Sequence, residues 1–161
     1  MATSTLCTIP NHLLKRIHNV IPIEKPIKIT GEVIKGFGRG GKLLGIPTAN
    51  LPIENCKELS QIEMGVYIGY AKIRGITCKT VISIGNNPHF QNEQKTIEPH
   101  LLHDFNSDFY GENLTISICG FIRYMEKYDN LDDLINAIKS DITIGSKALD
   151  EEPFKNALHD L

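Results

Sequence analysis

Between Gly36 and Asn50 the chain reads Gly-Phe-Gly-Arg-Gly-Gly-Lys-Leu-Leu-Gly-Ile-Pro-Thr-Ala-Asn, and this run restricts the fold more than any other stretch. Five of the 13 glycines lie in it, and Pro47 biases Ile46 towards extended geometry. No helix can start here, which leaves a loop feeding an extended strand. Gly36 to Gly41 matches the letters G-x-G-x-x-G, but that dinucleotide fingerprint works only when its third glycine opens a helix facing the pyrophosphate. The P-loop pattern needs Ser or Thr after Gly-Lys, whereas Lys42 is followed by Leu43. The protein-kinase signatures V-A-I-K, H-R-D and D-F-G are absent as well. A glycine-rich loop carrying Arg39 and Lys42 can nonetheless cradle an anion, because backbone N–H groups turn inward without Cβ interference.

Thr48 and Asn50 follow in an extended segment, where residues i and i+2 project to one face, so hydroxyl and amide point together and Ala49 faces away. Both are neutral oxygen donors. A Mg²⁺ held by such donors keeps its charge for bridging phosphates, which suits a nucleotide site. The alternative is a pair of turn residues ahead of Pro52.

At 161 residues with 41% hydrophobic content the chain forms one domain with a real core. Lys and Arg number 17 against 19 Asp and Glu, for a net charge of -2. No global field therefore favours nucleic acid or an anionic membrane, and phosphate chemistry must be local. Cys7, Cys56, Cys78 and Cys119 lack C-x-x-C spacing and read as reduced thiols of an intracellular, cytoplasmic protein. Nothing in the chain spans a bilayer. Residues 1–26 read as an N-terminal extension and 27–161 as the main folded domain. In the extension Leu13, Leu14, Ile17, Val20 and Ile21 fall at helical spacing. Asn11 as cap and Pro22 as stop describe a docking helix, and the first 23 residues, which lack any acid and carry Lys15 and Arg16, also have the character of a mitochondrial presequence.

After Pro26 the period becomes two. Ile27, Ile29 and Val33 alternate with Lys28, Thr30 and Glu32, and further strands are expected at Thr48–Leu51, Val66–Ile73, Lys79–Ile84 and Leu114–Ile122. Turns fall at Arg74-Gly75 and around Pro88. Short strands with helical periodicity confined to the ends point to a closed antiparallel barrel. Near the C-terminus Leu131, Leu134, Ile135, Ile138 and Ile142 predict a helix packed on that barrel, with Asn130 as N-cap and Asp132 and Asp133 in the first turn. Pro153 predicts a last short helix.

The middle segment Glu98-Pro99-His100 carries the second cluster. Pro99 pushes Glu98 out of helical space, so Glu98 and His100 share one face, with Leu101 and His103 on another. A zinc set of Glu98, His100 and His103 lacks the H-E-x-x-H spacing. A surface acid with two solvent-facing histidines is the plainer alternative.

Taken in order, Gly36–Asn50, Gly65-Val66-Tyr67, Ser83–Pro88, Glu98-Pro99-His100, Asp108–Glu112 and Arg123 resemble the riboflavin kinases of the eukaryotic, single-function kind, over roughly Ile29 to Leu149. The resemblance implies a six-stranded Greek-key β-barrel with a C-terminal helix, residues 27–161 as the kinase domain, and ATP-dependent phosphorylation of riboflavin at its ribityl 5′-hydroxyl to give FMN and ADP, by a monomer without nucleic-acid or membrane partners. It implies Glu98 as catalytic base. It places Gly36, Gly38, Arg39, Gly40 and Lys42 on the ATP phosphates, and Thr48 and Asn50 on Mg²⁺, with Zn²⁺ or Mn²⁺ as substitutes. Leu101, His103 and Tyr110 would line the nucleotide side, and Arg123, Glu126 and Tyr128 the flavin side. The sequence departs from the family at Tyr124-Met125-Glu126-Lys127, where Pro-Glu-Lys is usual, so either Glu126 or Lys127 could meet the flavin. A non-catalytic flavin or nucleotide carrier, and an OB-like single-strand binder, are the competing readings.

Overall fold

The computed structural model describes residues 16–34, 49–51, 62–86, 95–105 and 107–161. Five antiparallel strands form, β1 Ile21–Glu32, β2 Gly65–Ile73, β3 Ile76–Asn86, β4 Lys95–Leu101 and β5 Asn113–Tyr124, with β2 and β5 buried almost throughout. Helix α1, Leu131–Leu149, and a 3-10 helix, Phe154–Asp160, complete the chain. The strands pair in the order β1-β5-β2-β3-β4. β2 and β3 are joined at the expected Arg74-Gly75 turn, where both residues have positive φ, 54° and 73°, the geometry that matches strand twist in a two-residue hairpin.

Six full strands are not formed among the described residues. In place of the sixth, the short segment Ala49–Leu51 makes isolated bridges to both outer strands' neighbourhoods: Asn50 pairs with Ile34, just past β1, and Leu51 with Ile97 in β4. The residues flanking this segment, 35–48 and 52–61, lie outside the described residues. β4 itself contains Pro99, which the sheet accommodates at its edge.

The expected helix through Ile17, Val20 and Ile21 is corrected. Ile17 and Val20 bridge each other across a tight turn in which His18 and Asn19 take φ of 51° and 65°, and β1 starts at Ile21, so Ile21–Pro26 belongs to the sheet. Helical spacing and a strand entered by a hairpin turn happen to bury the same apolar residues. Leu13, Leu14 and Asn11 lie outside the described residues.

Each face of the sheet carries its own core. Inside lie Ile29, Tyr67, Ile82, Ile84, Ile97, Leu101, Leu114 and Ile116, all at most 2% exposed; burial of each such side chain contributes about 1.5–3 kcal/mol. Outside, Val66, Ile68, Val81 and Ile122 pack with Ala148, Leu149 and Phe154 of the C-terminal helices. Cys78 and Cys119 are buried free thiols.

Helix α1 begins as its sequence dictates: the Asn130 side chain accepts from the Asp133 N–H at 2.9 Å. Its C-terminal half is clamped to the sheet. A Cβ on Gly145 would come within 2.7 Å of Ile68, so only glycine permits this approach. The Tyr70 hydroxyl donates to the Leu149 carbonyl, and Lys79 Nζ donates to the Ser146 carbonyl at 2.7 Å. The N-terminal half stands off, with Leu131 at 51% exposure and Leu134 and Ile138 half-buried. A cavity opens beneath it.

Candidate active site

Strand parity decides what faces that cavity. In β4, Ile97, Pro99 and Leu101 turn into the interior, while Glu98 and His100 share the outer face. Cross-strand register then extends the face sideways: Glu98 pairs with Ser83, Ser83 with Val66, and Val66 with Arg123. On the other flank, Leu51 pairs with Ile97 and the Ala49 N–H donates to the Pro99 carbonyl at 2.9 Å, which sets Asn50 opposite Glu98. Ala49 and Leu51 are buried, so Asn50 turns outward like Glu98. One row, Asn50–Glu98–Ser83–Val66–Arg123, thus crosses five segments, with neighbours about 4.5–5.5 Å apart at Cβ.

Four members of the row, Glu98, Ser83, Val66 and Arg123, line a cavity of about 190 Å³. His100 and Val81 extend its floor, Leu134, Ile138 and Asp141 of α1 form its roof, and Met125, Glu126 and Tyr128 lie on the segment that follows β5. The catalytic candidate and the three flavin-side candidates therefore meet in one place. Glu126 lines the cavity and Lys127 does not, although both are exposed.

Arg123 is held by a residue that sequence reasoning missed. Asp141 is 4% exposed and accepts two hydrogen bonds, from Arg123 Nε at 3.0 Å and Nη2 at 2.7 Å. Burial pushes the Asp141 carboxyl above its ordinary range, and the guanidinium opposes this without cancelling it. The guanidinium carbon also sits 5.8 Å from the Tyr128 ring centre, a cation–π contact. A lone acid in the seven-residue step from Leu134 to Asp141 on an otherwise apolar helix face was the signal available.

His100 is 5% exposed, and burial pushes its imidazole down from 6.5 to about 4. The unfolded chain therefore binds a proton that the folded chain refuses between these values. Stability from this group is complete above pH 6.5 and falls as pH drops towards 4, by up to roughly 3 kcal/mol. Urea titrations across that window should show the loss, with a flatter profile for His100→Gln.

The nucleotide-side candidates separate. Leu101 is fully buried in the interior core, so its side chain is a packing element. His103 and Tyr110 are exposed and are linked through Phe105 and Phe109, with ring centres 4.8, 5.3 and 6.5 Å apart in succession. Gly36, Gly38, Arg39, Gly40, Lys42 and Thr48 lie outside the described residues. Among the described residues no group of three or more His, Cys, Asp or Glu could hold a metal, and no helix is long and apolar enough to cross a membrane.

A carboxylate thus stands with an amide on one side and, on the other, an apolar cavity with an anchored arginine. A family model for riboflavin kinase (flavokinase) matches residues 23–149. The mouse riboflavin kinase is 44% identical over 127 residues, covering 78% of this chain and 82% of the relative. An Arabidopsis thaliana bifunctional riboflavin kinase/FMN phosphatase is 52% identical over 137 residues, but the chain spans only 36% of its length. The crystal structure of riboflavin kinase from Trypanosoma brucei superposes with a TM-score of 0.64 at 25% identity, covering 84% of this chain and 85% of that one. The chain belongs to the riboflavin kinase family.

Proposed function

We propose that the chain transfers the γ-phosphoryl group of ATP to the 5′-hydroxyl of riboflavin, giving FMN and ADP, with Glu98 as general base. One observation carries this reading: Glu98 stands on the register row between Asn50 and the apolar cavity. A primary alcohol is a poor nucleophile. As its oxygen bonds to the γ-phosphorus and the bond to the ADP oxygen breaks, the Glu98 carboxylate takes the hydroxyl proton. Val66, Val81, Leu134 and Ile138 offer apolar walls to a flat ring, and Arg123 and Tyr128 bound it. At about 190 Å³ the cavity is below the ~300–1,000 Å³ usual for such ligands. The largely exposed segment 125–130 must therefore shift or extend over the ring when riboflavin binds.

Asn50 offers a neutral oxygen beside the base and fits a divalent cation that brings its charge to phosphates. Thr48 and Asn50 would hold that ion, Mg²⁺ by preference for oxygen donors and Zn²⁺ or Mn²⁺ as substitutes. When bound, the ion neutralises charge on the phosphate oxygens. Asn50→Ala should weaken apparent Mg²⁺-ATP affinity roughly 10-fold or more, the scale of one interaction with a charged partner. An activity titration against Mg²⁺-ATP that overlays the wild type would remove Asn50 from this role.

Incubation with riboflavin and Mg²⁺-ATP, resolved by chromatography, tests the whole reading. FMN should accumulate with ADP in equal amounts. Riboflavin recovered unchanged would end it.

A further inference from the structure

Within this cavity one polar atom has no use in the mechanism above. His100 Nδ1 is buried and has no hydrogen-bond partner among the described residues. Its ring faces the cavity, because it shares the outer face of β4 with Glu98 and its cross-strand neighbour Val81 also lines the cavity. Arg123, Asp141 and Glu126 bound the same space. Arg123 and Asp141 are engaged with each other, leaving the imidazole to whatever enters. A buried polar group without a partner is costly to leave so.

We propose that His100 is a positioning residue for the substrate's polyol chain: Nδ1 hydrogen-bonds one of the secondary hydroxyls of the ribityl group while Glu98 engages the terminal one. The inference rests on the reading of the chain as a riboflavin kinase. Two arguments select a hydroxyl as the partner. Burial keeps the imidazole neutral, so Nδ1 is either a donor or an acceptor according to tautomer, and a hydroxyl serves both cases. The second is spacing: Glu98 and His100 are two residues apart on one strand, an advance of about 6.6–6.8 Å, which is comparable to the length of a short polyol chain. A chain lying along β4 would then be fixed at two points, and its terminal oxygen would be held for in-line attack.

Steady-state kinetics with riboflavin and with its 2′-, 3′- and 4′-deoxy analogues test this in the wild type, His100→Leu and His100→Gln. His100→Leu should lose about 10- to 100-fold in kcat/KM with riboflavin. It should match the wild type on the one analogue that lacks the partner hydroxyl, and His100→Gln should recover part of the loss. A merely structural role would lower all four substrates equally, and that result overturns the proposal. A second measurement needs no variant: the imidazole ¹⁵N resonance of Nδ1 in the wild type should move when riboflavin is added, and a fixed resonance overturns the proposal too. Wild-type protein that makes no FMN defeats the assignment of function itself. FMN formed with no discrimination between riboflavin and any deoxy analogue defeats only the role of His100.

Discussion

Glu98→Gln should still bind riboflavin and ATP while turnover falls by about 10²- to 10⁴-fold. The amide matches the carboxylate in size and stays on the outer face of β4, so the row from Asn50 to Arg123 keeps its packing. What it lacks is basicity. In a loose phosphoryl-transfer transition state the hydroxyl proton departs late, so positioning and charge neutralisation supply the larger part of the acceleration and a sizeable residual rate remains. Flavin fluorescence titration gives the affinity and FMN formation gives kcat. An unchanged kcat would exclude Glu98 as base, whereas a raised dissociation constant with normal kcat would make it a binding residue.

Arg123→Met should destabilise the fold by about 3–5 kcal/mol, because it strands the Asp141 carboxylate in a site where only 4% of that residue is exposed. Methionine preserves much of the arginine stem, so the loss reports the missing charge and its two hydrogen bonds to the carboxylate. The double variant Arg123→Met/Asp141→Leu should regain most of the stability, since an apolar pair of similar volume removes the stranded charge. It should not regain activity, because the guanidinium also lines the cavity proposed to take riboflavin. Chemical denaturation of the wild type, both singles and the double separates these effects. Arg123→Met at wild-type stability would show that the ion pair does not hold the loop after β5 to α1.

Much of the site was legible because short-range rules govern it. Pro99 and strand parity placed Glu98 and His100 together, and Asn130 with Asp133 marked the start of α1. Long-range facts were not legible. Nothing local says that Ser83 and Val66 lie between Glu98 and Arg123, since register is a property of the assembled sheet. Asp141 escaped notice because an acid on a helix normally faces water, and only its meeting with Arg123, 18 residues earlier in the chain, explains its burial. Ile17, Val20 and Ile21 misled because apolar spacing alone does not separate a helix from a turn entering a strand. Leu101 was assigned to the nucleotide side by resemblance, whereas its side chain packs in the core.

The row of five side chains also sets where this molecule tolerates changes in length. Deleting one residue within β4 would exchange Glu98 and His100 for the greasy Ile97, Pro99 and Leu101 at the cavity wall, turning the acid and imidazole inward. The β2–β3 hairpin is different: a side chain added at Gly75 would meet nothing within 4 Å, and the tip lies beyond the last paired rung at Ile73 and Ile76. Grafts or tags inserted at that tip leave every rung of the row aligned, so it is the natural place to attach a reporter without disturbing the cavity.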